Sequence, residues 1–323
     1  MTVPEEDSAT ETAAIATTRL VQRFGAVTAL DGVDLAVPHG TVLCLLGHNG
    51  AGKSTLVDIL TTLARPTSGA ARVAGFDVVA EAHRVRRSIG VAGQFAALDD
   101  QMTPRATLVL LTRLHGFGRR AAHARADELL ELFGLGEFTE RPLRACSGGT
   151  RRRLDLAAAL TGRPEVVVLD EPTAGLDPVS RLTLWEVVRG LARDGAAVLL
   201  TTQDLTEADR LADVVAVLRR GRLVASGTPD ELKARVGSRA VTVRPADAVR
   251  AEQALRADGI RPSFDPARGT LSVAAASSRQ VTAVLRALDA AGIDPGELSL
   301  SQPGLDEVYL ALATGHDTVR GAA

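Results

Sequence analysis

Hydrophobic residues along the chain gather in short unbroken runs separated by stretches with a helical stripe. Thr41–Leu46, Glu165–Asp170 and Ala196–Thr201 are apolar at nearly every position. Such runs predict strands covered on both faces, as in a parallel sheet, because a half-exposed strand would alternate with period two. Strand-like stretches at Thr17–Arg23 and Gly32–Val37 come before them, and Val214–Leu218 and Arg222–Ser226 come after. Helical spacing appears at Lys53–Leu63, Ala121–Phe133, Arg151–Leu160 and Ser180–Asp194. Strand, helix, strand alternation predicts an α/β core, interrupted by a helical insertion over residues 95–162.

The pattern changes near residue 237. Gly227–Lys233 opens a short helix that Thr228 or Asp230 could cap. Beyond it the spacing predicts strand 239–244, helix 247–257, strands 260–264 and 270–274, helix 278–291 and strand 297–301. That βαββαβ order is the ferredoxin-like arrangement, and a terminal helix over 305–313 follows. The expected organisation is a tail at 1–14, a first domain at 15–236 and an accessory or regulatory domain at 237–323.

A length of 323 residues fits two domains. A net charge of −2 gives no reason to expect nucleic-acid binding. No apolar run approaches the ~20 residues that a bilayer span needs. The start carries Glu5, Glu6 and Asp7 and lacks the basic region of a targeting signal. If the protein serves a membrane, another chain does the spanning. Cys44 and Cys146 lie far apart and fit no metal or disulfide spacing, so both are expected reduced and buried or half-buried. The basic residues are nearly all arginine; Lys53 and Lys233 are the only lysines.

Lys53 lies in Gly47-His48-Asn49-Gly50-Ala51-Gly52-Lys53-Ser54, followed by Thr55. This fits G-x-x-x-x-G-K-[ST] between a buried strand and a helix. Glycines let the backbone wrap phosphate oxygens, and the helix N-terminus adds favourable partial charge. Lys53 then meets the β and γ phosphates and Ser54 a Mg²⁺ ion. A second strand runs into Asp170-Glu171, at the edge of the sheet where ligands bind. Asp170 suits control of the metal, and Glu171 suits a general base for water.

Ser147-Gly148-Gly149-Thr-Arg-Arg-Arg-Leu154 stands just before that strand. With the two motifs above, it resembles the signature of the ATP-binding cassette (ABC) ATPases. The resemblance implies a P-loop NTPase core and a head-to-tail homodimer, in which this loop completes the ATP site of a second copy. It places Phe24 against adenine, with core packing as the competing role. Gln94 touches Mg²⁺ or water, and Asp177 of Gly175-Leu-Asp177 lies at the dimer interface. Gln203 stands where a histidine is usual, and its amide can hydrogen-bond phosphate or water but cannot be a cation. His48, Cys146 and Thr150 also depart from the family pattern.

Thr201-Thr-Gln203 and Leu305-Asp-Glu-Val-Tyr-Leu-Ala-Leu312 are similar to daunorubicin-resistance-type exporters. That branch implies an ATPase bound at the cytoplasmic face of the membrane to an integral-membrane permease that exports a drug-like or hydrophobic metabolite. Phe95, Leu98 and Met102 would form the permease groove or pack inside the insertion. Ala106 and Thr107 replace a Glu-Asn pair usual there. The alternative is a soluble ABC ATPase acting on DNA or ribosomes. The second domain either stabilises and regulates the dimer or binds a small ligand.

Overall fold

The computed structural model describes residues 13–93, 98–236, 240–266, 268–275, 277–301 and 304–314. The chain forms two compact units that divide between Pro229 and Asp230.

In the first unit the three buried runs form β3 (Val42–Leu46), β7 (Val166–Asp170) and β8 (Ala197–Thr202). Among the described residues they belong to a six-stranded sheet with β6 (Ile89–Ala92), β9 (Val214–Arg219) and β10 (Arg222–Gly227). The order is β10-β9-β3-β8-β7-β6. Every pair is parallel except β9–β10. The central strands are apolar, except at the last residues of β7 and β8, because both faces are covered. Val42, Val166, Val198 and Leu199 are at most 1% exposed, and burying each such side chain stabilises the fold by about 1.5–3 kcal/mol. Parallel strands all end at one edge. The loops after β3, β7 and β8 therefore meet there, although they are up to some 150 residues apart in sequence.

The predicted strands at Thr17–Arg23 and Gly32–Val37 belong to a second sheet in the same unit, whose other two strands the pattern did not predict. It joins β1 (Ile15–Phe24), β2 (Val27–Val37), β4 (Ser68–Val73) and β5 (Phe76–Asp77) in the order β2-β1-β4-β5, all antiparallel. Its inner face shares one core with the parallel sheet through Ile15, Leu20, Val33 and Val73. Short helix α2 (Ala82–Ser88) leads into β6. Both β4, rich in Gly, Ala and Arg, and four-residue β6 are too short or too small in side chain to show a period.

The P-loop helix is α1 (Lys53–Leu60). The insertion is helical as expected: α3 (Pro104–Leu114), α4 (Arg119–Leu132) and α5 (Gly148–Ala159). Thr103 caps α3 by accepting from the Ala106 amide, with Pro104 at the first turn. After β7 comes α6 (Pro178–Arg193), and after β8 comes α7 (Leu205–Leu211). Cys44 and Cys146 are both free and buried.

Helix α8 (Pro229–Val236) precedes β11 (Ala240–Arg244), α9 (Ala248–Ala257), β12 (Ser263–Asp265), β13 (Thr270–Ala274), α10 (Ser278–Ala290), β14 (Glu297–Ser301) and α11 (Leu305–Thr314). The sheet order β12-β13-β11-β14 is antiparallel throughout and is that of a ferredoxin-like fold. Val241, Val243, Leu271 and Val273 meet Ala251, Leu255, Val284 and Leu288 of α9 and α10 in a core of their own. Ser277 and Gln280 form a capping box on α10.

Candidate active site

Leu46 ends β3 and the chain turns directly into Gly47–Ser54. The turn is tight because the surrounding fold leaves no room for side chains. A Cβ on Gly47 would lie 2.6 Å from the Leu218 carbonyl oxygen. One on Gly52 would lie 2.5 Å from the Ala29 carbonyl, at a backbone φ of +111° that L side chains rarely adopt. His48, Asn49, Gly50 and Ser54 are exposed, Thr55 is half-buried, and Ala51 is buried. Lys53 is only 6% exposed. Its ammonium donates to the Gly47 carbonyl at 2.6 Å and to the His48 carbonyl at 3.4 Å. Burial lowers its pKa from that of a free lysine, and the carboxylates of Glu171 and Asp170 act against that shift. The ammonium is thus folded onto its own loop, within electrostatic reach of both acids.

Asp170 is the last residue of β7 and pairs in register with Thr201 of β8. The Thr201 hydroxyl donates to Asp170 Oδ1, and its oxygen also accepts from the Glu171 amide at 3.1 Å. Glu171 has φ +47°, in the left-handed region that disfavours a side chain. Such a conformation costs on the order of 1–3 kcal/mol and persists only where neighbours impose it. Its side chain is held from the β8 loop. Gln203 Nε2 donates to Glu171 Oε1 at 2.6 Å and to Asn49 Oδ1 at 2.9 Å. One amide therefore joins the glutamate to the phosphate-binding loop, 154 residues away in sequence. The Gln203–Asn49 bond and the double role of Thr201 were not foreseen. The only sequence signal for them was the polar Thr-Thr-Gln ending of an apolar strand.

Phe24 pairs with Val27 at the turn between β1 and β2 and is 56% exposed, which removes the core-packing role. Gln94 and Phe95 lie outside the described residues. Leu98 and Met102 are half-buried, Ala106 is exposed and Thr107 is buried.

The Ser147–Gly149 loop opens α5. Ser147 caps the helix: its Oγ accepts from the Thr150 amide at 3.2 Å and lies 2.9 Å from the Thr150 hydroxyl. Ser147 and Gly148 are exposed, and a Cβ on Gly148 would meet nothing within 4 Å. The following arginines, unassigned from sequence, each hold a different element. Arg151 pairs with Asp100 at 2.8 Å. Arg153 donates to the Phe133 and Gly134 carbonyls at the end of α4, each at 3.1 Å. Arg152 turns inward to the edge that carries Glu171. Asp177 caps α6, accepting from the Val179 and Ser180 amides at 3.0 and 2.9 Å. The Ser180 hydroxyl, which also donates to it, is the main cause of its lowered pKa. Val179 and Leu182 on the same helix are 72% and 50% exposed.

The family model for ABC transporters matches residues 30–174, a span that includes the phosphate-binding loop, the signature loop and the carboxylate pair. The daunorubicin resistance ATP-binding protein DrrA3 of Streptomyces coeruleorubidus is 49% identical over 306 residues, 94% of this chain and 96% of that protein. The chain belongs to the ABC transporter family. Within it, the daunorubicin/doxorubicin resistance ATP-binding protein DrrA of Streptomyces peucetius is 46% identical over 309 residues, 94% of this chain and 93% of the relative. A solved ATP-binding subunit of an ABC transporter aligns with a TM-score of 0.64 at 28% identity, over 68% of this chain and 92% of its own. As an ABC ATPase, the chain binds and hydrolyses ATP. A role on DNA or ribosomes finds no support among these relatives. No helix among the described residues is long and apolar enough to cross a membrane.

Proposed function

We propose that this chain powers export of a drug-like or hydrophobic metabolite through a separate integral-membrane permease, docked peripherally at the cytoplasmic face as a head-to-tail homodimer. The near full-length likeness to drug-resistance ATP-binding proteins supports the export reading. The reading of the site rests on one observation: the Gln203 amide joins Glu171 to the phosphate-binding loop, beside Lys53.

In this reading Lys53 swings from the Gly47 carbonyl to the β and γ phosphates of ATP, whose oxygens also accept from the loop amides. Phe24 stacks on adenine. Glu171 takes a proton from the water that attacks the γ-phosphorus, and ADP leaves with its oxygen on the β-phosphate. Gln203 holds one carboxylate oxygen of Glu171, so the other is left for that proton. The residues fit a Mg²⁺ ion. Asp58 on α1 has its pKa raised chiefly by burial, with the charge of Asp170 adding to it, and a cation here would offset that second, smaller cause. Ser54 and Asp170, with Gln94, would hold it, and it would neutralise charge developing on the phosphates.

The dimer reading draws on exposure. Ser147, Gly148 and Asp177 are exposed, and Val179 and Leu182 add apolar surface on the helix that Asp177 caps. A second copy stacked head to tail would cover all five and set the Ser147 loop against its partner's ATP.

Glu171→Gln tests the chemistry. The amide cannot accept a proton, so kcat should fall about 10³-fold with ATP affinity kept and an ATP-loaded dimer trapped on size exclusion. Unchanged turnover would remove Glu171 from the role of base.

A further inference from the structure

Helix α5 carries at its fifth position a side chain that turns inward and reaches across to the ends of β6 and β7. The guanidinium of Arg152 donates to the carbonyl of Gly93 at the end of β6. It donates also to the carbonyls of Asp170 at 3.2 Å, Glu171 at 3.1 Å and Pro172 at 3.2 Å. Asp155, one turn along α5, accepts from it at 3.2 Å. The side chains of Arg152 and Asp155 are 12% and 13% exposed. Three successive carbonyls, centred on the residue with φ +47°, thus converge on one rigid planar group. A fork of five fixed donors can serve such a set, whereas an ammonium cannot.

Burial lowers the pKa of Arg152 and raises that of Asp155, so the pair is held at a cost in desolvation. An apolar group here would leave the carbonyls of Asp170, Glu171 and Pro172 without the donors that hold them. Ser147 starts the same helix about a turn away, and in the dimer reading it meets the ATP of the second copy. A rigid helix joined at its first residues to the partner's nucleotide and, about a turn along, to the backbone of Glu171 can transmit a shift from one to the other.

We propose that Arg152 is a positioning residue: it sets the backbone of Glu171 and conveys to it whether the signature loop has engaged the second nucleotide. This rests on Glu171 being the base, and the experiment separates the two ideas.

ATP turnover, ATP affinity and thermal midpoint are measured on the full chain for wild type, Glu171→Gln, Arg152→Ala and Arg152→Lys. Arg152→Ala is expected to lower kcat about 30-fold while ATP affinity stays within about twofold. Addition of ~50 mM guanidinium, far below denaturing concentrations, should restore several-fold turnover to Arg152→Ala and none to Glu171→Gln. Arg152→Lys, with charge but no fork, should remain about tenfold slow. Unchanged turnover in Glu171→Gln sinks the base assignment, whatever Arg152 does. Normal kcat in either Arg152 variant, while Glu171→Gln is dead, overturns the role of Arg152 alone. Parallel loss of affinity, thermal midpoint and turnover without guanidinium rescue, or failure of both variants to fold, makes Arg152 a packing residue and also overturns it.

Discussion

The chain has two glycine-rich loops at helix N-termini, and they differ in what their glycines face. In Gly47–Ser54 the fold itself demands them: side chains at Gly47 and Gly52 would strike the carbonyls of Leu218 and Ala29. In Ser147–Gly149 a side chain on Gly148 would enter open space. The first loop is completed within the chain, with Lys53 tied to Gly47 and Asn49 tied to Gln203. The second is finished on its inner side only, by the Ser147 cap and the three arginines behind it. Glycines that the chain's own packing does not require point to something that approaches from outside. Substitution can separate the two cases.

The largest effect is expected at Gly52→Ala. It forces a methyl group against the Ala29 carbonyl at a φ that alanine resists, so stability should fall by about 3 kcal/mol and ATP binding with it. A thermal melt and a fluorescent-nucleotide titration check both. Gly148→Ala should leave the melt unchanged within about 1 °C, because the fold has room for the methyl group. Its turnover should nevertheless fall about 100-fold, and the ATP-dependent dimer should weaken on size exclusion. A Gly148→Ala protein with normal turnover would break the contrast.

A smaller effect is expected where the β8 loop meets the first cradle. Gln203→Ala removes the amide between Asn49 and Glu171, so kcat should drop about tenfold with ATP affinity nearly constant. Gln203→His can still donate one hydrogen bond and should keep most of the activity. Steady-state assays at saturating ATP decide it.

The mildest test concerns Glu207, fully buried on α7 behind Gln203. Trp185 Nε1 donates to it at 3.2 Å. Burial raises its pKa above that of a free glutamate, against hydrogen bonds from Thr202, Trp185 and Thr173. A folded-state pKa above the unfolded value favours the folded form below the unfolded pKa, and that stability is lost as pH rises through the folded one. Glu207→Gln has no such term. The mutant's melting temperature relative to wild type should therefore rise from pH 4.5 to pH 7, and a flat difference across that range would refute the linkage.

Much of this architecture was legible in the sequence. Unbroken apolar runs disclosed β3, β7 and β8, because burial on both faces leaves no polar position to blur the pattern. The ferredoxin-like order of the second unit followed from alternating periods alone. The antiparallel sheet was only half legible: β1 and β2 showed as strand-like stretches, but β4 offers only Ala71 and Val73 as its inward side chains, too few to register a period. The acidic pair and the lysine were found because each ends a strand or opens a helix, where ligand chemistry concentrates, and Gln203 was found through the family resemblance.

What the sequence by itself determined is local: strands from continuous hydrophobicity, the phosphate cradle from spaced glycines, the acids from their place at a strand's end. What only the tertiary structure decided is which distant groups share one atom's reach. Parallel strands ending at one edge put Gln203 between Glu171 and Asn49, and the packing of α5 aimed one of three consecutive arginines at the backbone of Asp170, Glu171 and Pro172. The three arginines look alike in sequence. A helix turns about 100° per residue, so their directions, and hence their partners, were set only when the helix docked.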